Sequence, residues 1–304
     1  MCESSITKEM NQPLLHVMIP VYGDSPYLEE TLNSVVKNLP TNFPITVIED
    51  YSSQSNNREL VYKFERVRYI QNEERLGIAK NFNKCINSST GLFTQIIGSD
   101  DVFISEVITK IEKDLVIDPD LAMVINDIEV INKNGKKSLT LTDSVKQIIK
   151  PKRRRYLNEK QFLRSISIGD WAYFPSIYWN TENTKKIGFS DKFHTAMDLA
   201  IFFDICKTKT KILVSQEKVI QYRRHKNSAS VSYSYSTDRY REEMECQAKA
   251  YDIARKNNWK LETFLAQLAL TIRLHMFFKA FLMLKSNYSI SKQIFLLAIK
   301  KLPK

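Results

Sequence analysis

Acidic residues follow directly after two short apolar segments in the first third of the chain. Glu49 and Asp50 end the segment ITVIED, and Asp100 and Asp101 follow residues 93–97 after a Gly-Ser pair. Two adjacent carboxylates at the end of a strand can hold a divalent cation, which in turn neutralises a diphosphate. A carboxylate in such a place can also accept hydrogen bonds from a ribose or a base. Asp and Ser are equally common in solvated turns, so that alternative stays open at both places.

Four further residues could take part in the same chemistry. Asp198 lies in the apolar stretch FHTAMDLAIFFDI, where a carboxylate is costly to bury without a partner or a task. It is therefore either a general base or the N-cap of a helix. His225 lies in QYRRHKNSASVS, a cluster that suits a phosphate and its metal or forms a basic loop. Arg75 and Lys80 are either phosphate contacts or solvated surface charges.

The pattern of apolar residues places the first acidic pairs at the ends of strands. It predicts strands over 14–21, 45–50, 67–71 and 93–97, with helices over 26–38, 57–65 and 78–86 between them. This alternation with short connections is typical of an α/β fold with a mostly parallel sheet. Ligands bind such sheets at the carboxyl ends of the strands, so the polar clusters there are expected to converge.

The second half of the chain is less regular. The pattern predicts a helix over 105–116, a strand over 121–132 that pairs antiparallel, a mobile basic loop over 133–157, a helix around 198–206 and a strand around 211–221. From about residue 237, glycine and proline nearly vanish and helical periodicity takes over. We therefore expect a catalytic domain over 1–236 and a C-terminal helical region over 237–304.

Composition narrows the class of protein. The net charge is +11 over 304 residues, which favours anionic partners without choosing among them. The four cysteines are far apart, which argues against a disulfide framework or a zinc site and predicts reduced thiols in a cytoplasmic protein. The polar N-terminus does not resemble a signal peptide, and no uninterrupted apolar run reaches the ~20 residues that span a bilayer.

Taken in order, these motifs resemble the family 2 glycosyltransferases of the GT-A fold, a Rossmann-like α/β architecture. The resemblance covers residues 14–232. It is carried by the following motifs: Pro20-Val21-Tyr22, Glu49-Asp50 with Ser52, Asn72 to Gly77 and Lys80-Asn81, Ser99-Asp100-Asp101, Asp198, and Tyr222-Arg223-Arg224-His225.

The resemblance implies an inverting transfer of sugar from a nucleotide-diphosphate sugar. It gives nucleotide-sugar contacts to Pro20, Val21, Tyr22, Glu49, Asp50, Arg75, Lys80, Ser99, Asp100 and Arg224. It gives Mn²⁺ or Mg²⁺ ligation to Asp100, Asp101 and His225, and the role of catalytic base to Asp198. The implied partners are a donor, expected to be a UDP-sugar, and a saccharide or lipid-linked saccharide acceptor in bacterial surface polysaccharide synthesis.

The chain departs from the family pattern at four positions. The usual Asp-Asp-Gly after the second strand is Glu49-Asp50-Tyr51 here, which narrows the expected base pocket. The first Asp of the metal motif is Gly98, so Asp100 becomes the main expected ligand. The usual Glu before the base is Met197. One carboxylate suffices for a base, although Asp204 on the same predicted helix is a second candidate.

Two segments have open roles. Trp171 and Tyr173 lie in an aromatic stretch that forms either a wall for the acceptor sugar or ordinary core packing. The tail over 263–304 mixes apolar residues with Lys and Arg, which suits either a helical subdomain, packed on the core or on a second copy, or an anionic membrane surface.

Three rival classes were weighed. A nucleic-acid-binding protein fits the charge, but the chain carries none of the usual nucleic-acid-binding motifs. A nucleotidyltransferase would need a glycine-rich basic loop where residues 22–25 have one glycine and no cation. A catalytically weak nucleotide-sugar-binding scaffold is favoured by Gly98 and disfavoured by the acidic residues that remain.

Overall fold

The computed structural model describes residues 12–52, 55–104, 118, 121–225 and 237–302. Within them, one sheet has the strand order β3-β2-β1-β4-β8-β6-β9-β5, and β7 pairs with β9. The strands are β1 Leu15–Tyr22, β2 Ile45–Asp50, β3 Val67–Gln71, β4 Phe93–Ile96, β5 Val102–Phe103, β6 Met123–Asn132, β7 Arg155–Asn158, β8 Ile177–Asn180 and β9 Lys211–Arg224.

Helices connect the strands of the sheet and form the C-terminal part of the chain. The helices are α1 Leu28–Asn38, α2 Asn57–Val61, α3 Ile78–Ser88, α4 Leu141–Ile149, α5 Glu159–Ile168, α6 Thr181–Ile187, α7 Met197–Ile205, α8 Thr237–Lys256, α9 Lys260–Leu268, α10 Leu270–Met283 and α11 Tyr288–Ile299. The α/β class with a C-terminal helical region, predicted from the sequence, is confirmed.

The first four strands form the parallel half of the sheet. β1 pairs in parallel with β2 and β4, and β2 pairs in parallel with β3. All six residues of β2 are buried, as expected for a central strand covered on both faces by helices. The carboxyl ends of these strands therefore meet at one edge, as the sequence predicted.

The remaining strands form the mixed half. β8 runs antiparallel to both β4 and β6, while β6 and β9 pair in parallel. β9 also pairs antiparallel with β5 and β7. The strand predicted over 121–132 thus has one antiparallel and one parallel neighbour. The helix predicted over 105–116 lies outside the described residues.

The prediction of a mobile loop over 133–157 was wrong. This segment contains α4 and β7. Thr140 and Asp143 form a capping box, in which each side chain bonds the other's backbone N–H and so starts the helix. The many basic residues of the segment obscured that short signal.

The C-terminal helices pack on the sheet layer and on each other. Cys246, Ala250 and Ala254 of α8 are buried in the same core as α7, while Met276 and Ile294 help form a separate cluster. By length and composition alone, residues 260–283 could cross a membrane. The helix is interrupted at Ala269, which has left-handed backbone angles.

Candidate active site

The ends of β1 and β2 lie side by side at one edge of the sheet. Tyr22 is in register with Asp50, and Val21 with Glu49. The Tyr22 ring is 55% exposed, and the Arg75 guanidinium carbon lies 4.4 Å from its centroid. Val21 is buried, so Tyr22 rather than Val21 offers a surface for stacking.

Both acidic residues at the end of β2 are buried and hydrogen-bonded within the protein. Asp50 accepts the backbone N–H groups of Leu76, at 2.7 Å, and Gly77, at 2.9 Å. Glu49 is fully buried and accepts hydrogen bonds from Asn57 and Tyr69. Asp50 therefore fixes the loop that leads into α3, and Glu49 could meet a nucleotide only after its side chain moved.

The turn after β4 brings the next two acids together. Asp101 is buried, and its two oxygens accept the N–H groups of Gly98 at 3.2 Å and Arg223 at 3.0 Å. A Cβ on residue 98 would lie 2.5 Å from Asp100 Oδ1 and 2.9 Å from Asp101 Oδ2. A side chain at 98, where the family pattern has an acid, would therefore displace the carboxylates of Asp100 and Asp101 from their present positions. Ser99 meets Ser25 through its backbone carbonyl.

Asp100 faces the end of β9. Its Oδ2 lies 2.7 Å from His225 Nε2, and its backbone carbonyl accepts the Arg223 Nε–H at 2.7 Å. Burial and the neighbouring charge of Asp100 raise the pKa of Asp101. The Asp100 carboxylate and the His225 imidazole therefore face each other beside the buried carboxyl of Asp101.

This donor set fits a divalent cation shared with a substrate. Among the described residues no three His, Cys, Asp or Glu side chains converge as ligands, and Asp101 already uses both oxygens on backbone N–H groups. Asp100 and His225 are the two that are suitably placed. Mg²⁺ is typically held by one or two carboxylates plus substrate phosphates and water, so two protein ligands suffice beside a diphosphate.

A second polar cluster lies behind this turn. Asp143, fully buried, accepts hydrogen bonds from Arg224 at 2.5 Å and from the Tyr173 hydroxyl at 2.8 Å. Burial alone would raise the pKa of Asp143, but the hydrogen bonds from Arg224 and Thr140 outweigh it and lower that pKa. Arg224 is thus held by Asp143, one residue before His225.

Lys146, on the same helix as Asp143, links this cluster to Asp198. Its Nζ lies 3.2 Å from Asp170 Oδ2, 2.9 Å from the carbonyl of Ala172 and 4.7 Å from the centre of the Tyr173 ring. Asp170 in turn acts electrostatically on Asp198. Lys146 and Asp170 thus lie within electrostatic reach of Asp198, and Lys146 shares α4 with Asp143.

Asp198 has the protonation behaviour of a general base. Burial, and then the charge of Asp170, raise the pKa of its carboxyl to about 7, against the opposing charge of Lys146. The carboxylate form is present above that pH and is lost as the pH falls through it. Its Oδ1 accepts the N–H of Leu199 at 2.8 Å. Ala196 occupies the N-cap position, so Asp198 is not the N-cap.

The turn before Asp198 is capped from the C-terminal region. Glu242 of α8 accepts the backbone N–H groups of His194 at 3.0 Å, Thr195 at 2.7 Å and Ala196 at 3.1 Å, and the Thr195 hydroxyl at 2.8 Å. Burial raises the pKa of Glu242, but these donors outweigh it, and the net pKa is lowered. An ionised carboxylate therefore holds the turn that leads into the positive N-terminal end of α7.

The sequence model of glycosyl transferase family 2 matches residues 16–181, more than half of the chain. The chain belongs to glycosyl transferase family 2. It is 20% identical over 220 residues to an uncharacterised glycosyltransferase of Methanocaldococcus jannaschii, a match that covers 71% of this chain and 72% of that protein.

Two further family 2 relatives have descriptive names. The chain is 25% identical over 128 residues to the Escherichia coli UDP-Glc:alpha-D-GlcNAc-diphosphoundecaprenol beta-1,3-glucosyltransferase WfgD, covering 41% of this chain and 50% of that enzyme. It is 27% identical over 108 residues to the putative teichuronic acid biosynthesis glycosyltransferase TuaG of Bacillus subtilis, a match that covers 34% of this chain and 41% of that protein.

Solved structures show the same fold. Residues 1–349 of S. aureus TarS, crystallised with UDP-GlcNAc, superpose with a TM-score of 0.68 at 18% identity, covering 94% of this chain and 79% of that one. The complex of the same TarS fragment with UDP gives a TM-score of 0.56 at 15% identity, covering 93% and 89%. The chain therefore shares the fold of TarS over nearly its whole length.

The remaining predicted residues lie apart from the cleft or in the core of this family 2 fold. Trp171 is only 3% exposed and donates its indole N–H to Ser165, so it is a core residue in this conformation. Lys80 is exposed and pairs at 3.7 Å with Asp191. Asp204 is paired with both Lys207 and Lys249 at 2.6 Å, which leaves it poorly suited to be a base.

Sequence reasoning missed four residues that this family 2 chain uses to support the site. Asp143, Lys146, Asp170 and Glu242 come from segments that are distant from the family motifs along the chain. The capping box at Thr140 could have indicated α4, and with it Asp143 and Lys146. No local signal indicates that Glu242 meets the turn before α7.

Proposed function

We propose that this glycosyltransferase moves a sugar from a UDP-linked donor to an acceptor hydroxyl with inversion of the anomeric configuration. The proposal rests on three contacts, Asp100 with His225, Arg224 with Asp143, and Lys146 with Asp170, together with the electrostatic influence of Lys146 and Asp170 on Asp198. They support a diphosphate-metal site at Asp100 and His225 and a general base at Asp198, whose carboxyl has a pKa of about 7.

The donor is assigned to the edge formed by β1, β2 and the turn after β4. The exposed ring of Tyr22 beside Arg75 suits a nucleobase, since aromatic faces and cations stack on bases. Asp100 and His225 suit a divalent cation on the diphosphate. When bound, Mn²⁺ or Mg²⁺ would neutralise charge on the leaving nucleoside diphosphate. TarS, which has this fold, is described in complex with UDP-GlcNAc and with UDP.

Asp198 is assigned the proton transfer. Because Leu199 N–H is bonded to Oδ1, Oδ2 is the oxygen that takes the acceptor proton in this scheme. The acceptor oxygen forms a bond to the anomeric carbon as the bond to the diphosphate breaks. UDP leaves with the electron pair, and the proton stays on Asp198. Arg224, held by Asp143, adds positive charge beside the leaving group.

The acceptor is assigned to a saccharide of a bacterial surface polymer. Two relatives bear names from such synthesis, one using a GlcNAc-diphosphoundecaprenol acceptor and one from teichuronic acid biosynthesis. Of the aromatic pair Trp171 and Tyr173, Tyr173 stays partly accessible, and its hydroxyl is bonded to Asp143, so it is assigned to the acceptor side.

Calorimetric titration of UDP, dTDP, GDP and CDP, each with and without Mn²⁺, tests the donor assignment. We expect UDP to bind best, with an affinity that Mn²⁺ raises in the wild type but not in Asp100→Ala. Asp118→Ala, which removes an acidic side chain outside the proposed site, is the matched control. Equal affinity for all four nucleotides, or the absence of binding by any of them, would refute the donor assignment.

A further inference from the structure

Large apolar side chains on α9, α10 and α11 point to solvent. We define the C-terminal apolar face by Phe264, Leu274, Phe278, Phe281, Leu282 and Phe295. Their exposed fractions run from 46% for Phe278 to 70% for Phe281. Four of them recur on α10 at helical spacing, which makes one continuous stripe.

The face is separate from the packing that holds these helices in place. The opposite stripe of α10, formed by Ile272, Met276 and Ala280, is buried against α8 and α11. On the outer side, the rings of Phe277 and Phe295 lie 5.6 Å apart and join the exposed stripes of α10 and α11. Contiguous exposed apolar surface of this kind is uncommon on monomeric proteins and marks an interaction site.

The charges around this face have one sign. Residues 263–304 contain no Asp or Glu, and their cations are Arg273, Lys279, Lys285, Lys292, Lys300, Lys301 and Lys304. The preceding acid, Glu262, is buried and paired with Arg164. Lys285, Lys292 and Lys300 are exposed. A second copy of this chain would bring like charges together, whereas an anionic lipid surface offers both apolar chains and opposite charge.

We propose that the C-terminal apolar face docks onto anionic lipid, with α9, α10 and α11 lying in the plane of the membrane interface. The break at Ala269 and the buried stripe of α10 favour this orientation over a spanning helix. Arg273 supports the arrangement, since it donates to the backbone carbonyls of Leu268 and Ala298 and so ties the three helices together.

The start of α10 contacts the segment before Asp170. Thr271 donates its hydroxyl to the carbonyl of Ile168. A Cβ on Gly169 would lie 2.6 Å from Ile149 and 3.0 Å from the Thr271 hydroxyl, so α10 begins in close contact with the residue before Asp170. Docking of α10 would thus hold this segment near the lipid surface, and a link to catalysis through Asp170 rests on the proposed function.

Flotation of the full chain with vesicles tests the docking. Vesicles of phosphatidylglycerol mixed with phosphatidylcholine should bind the protein, and vesicles of phosphatidylcholine alone should bind it at least about tenfold more weakly. Phe281→Ser with Leu274→Ser should lower binding by about tenfold or more, because both side chains insert into the lipid. Tyr62, which is 61% exposed and follows α2 in the N-terminal part of the chain, gives the matched control Tyr62→Ser.

Charge reversal gives an independent measurement. Lys285→Glu with Lys292→Glu should weaken vesicle binding by about tenfold or more, and Lys37→Glu with Lys63→Glu should leave it unchanged. The vesicle assay contains no donor or acceptor, and UDP binding is measured separately. A failure of vesicle binding therefore does not bear on the proposed function. Wild type that does not float, or that forms a dimer broken by Phe281→Ser, overturns the proposal. Binding that resists both sets of substitutions also overturns it.

Discussion

Two pairs of acidic side chains, one in each half of the sheet, are held by different donors. At the edge of the parallel half, Asp50 and Asp101 accept backbone N–H groups, from Leu76 and Gly77 and from Gly98 and Arg223 respectively. In the mixed half, Asp143 and Asp170 are paired with the charged side chains of Arg224 and Lys146, and Asp143 also accepts the Thr140 N–H of its own helix cap.

This difference indicates that the geometry of the proposed nucleotide edge is fixed by the backbone, whereas the electrostatic surroundings of Asp198 depend on individual side chains. Backbone donors cannot be removed by a single substitution, so the proposed nucleotide edge has a geometry set by the fold. Side-chain donors can be removed one at a time, and each removal changes the electrostatic surroundings of Asp198. We therefore expect substitutions at the first edge to act on binding and substitutions in the mixed half to act on rate and its pH dependence.

The largest expected effect is that of Asp198→Asn. Loss of the base should lower the rate of transfer by about 10²–10⁴-fold, while UDP affinity stays within about threefold, since the nucleotide edge is held independently of Asp198. Initial rates and calorimetric titration measure the two quantities. Asp204→Asn, on the same helix, is the control and should retain activity. A fully active Asp198→Asn variant would remove Asp198 from the mechanism.

Gly98→Asp should weaken UDP binding by about tenfold or more, although it restores the acid of the family pattern. The new Cβ would lie 2.5 Å from Asp100 Oδ1 and 2.9 Å from Asp101 Oδ2, and its charge adds to theirs. Gly98→Ala adds the Cβ without the charge, so it measures the steric contribution to the loss of UDP binding alone. Tighter Mn²⁺-dependent binding by Gly98→Asp would show that this turn can open to admit a third acid.

Glu242→Ala should destabilise the turn before α7. Removal of a charged acceptor that bonds three backbone N–H groups is expected to lower the free energy of unfolding by about 1–3 kcal/mol and to lower the rate of transfer more than UDP affinity. Urea denaturation and initial rates test this. Glu245→Ala removes an exposed ion pair with Lys192 and should cost less than about 1 kcal/mol. Equal effects of the two substitutions would argue that Glu242 has no special positioning role.

The smallest expected effect is a shift in the pH dependence of the rate. Because the pKa of Asp198 is raised to about 7, the rate should rise with pH until that value is passed. Asp170→Asn removes a like charge, so the rise should move to lower pH, whereas Lys146→Met removes an opposing charge and should move it higher. Shifts of up to about one unit are expected. Shifts in the same direction would contradict the electrostatic account.

The same difference explains what the sequence could predict. Contiguous sequence motifs form the edge of the parallel half, because a strand and the turn that follows it are neighbours in sequence. For this reason Tyr22, Asp50 and Asp100 were placed correctly at strand ends. The aromatic pair Trp171 and Tyr173 could not be separated into core and cleft, because only tertiary packing distinguishes them.

Long-range contacts were beyond the reach of the sequence. The contact of Arg224 with Asp143 joins residues that are 81 positions apart, and α4 itself was hidden in a basic segment. Gly98 was interpreted only as a missing acid, since its close approach to the Asp100 and Asp101 carboxylates is visible only in three dimensions.

The anomeric configuration of the first product tests the central claim most directly. Slow hydrolysis of a bound α-linked UDP-sugar, followed by proton NMR, needs no knowledge of the natural acceptor because water takes its place. Inverting transfer assisted by Asp198 predicts that the β-anomer of the free sugar appears first. Appearance of the α-anomer first would contradict the assignment of Asp198 as the base of a single displacement.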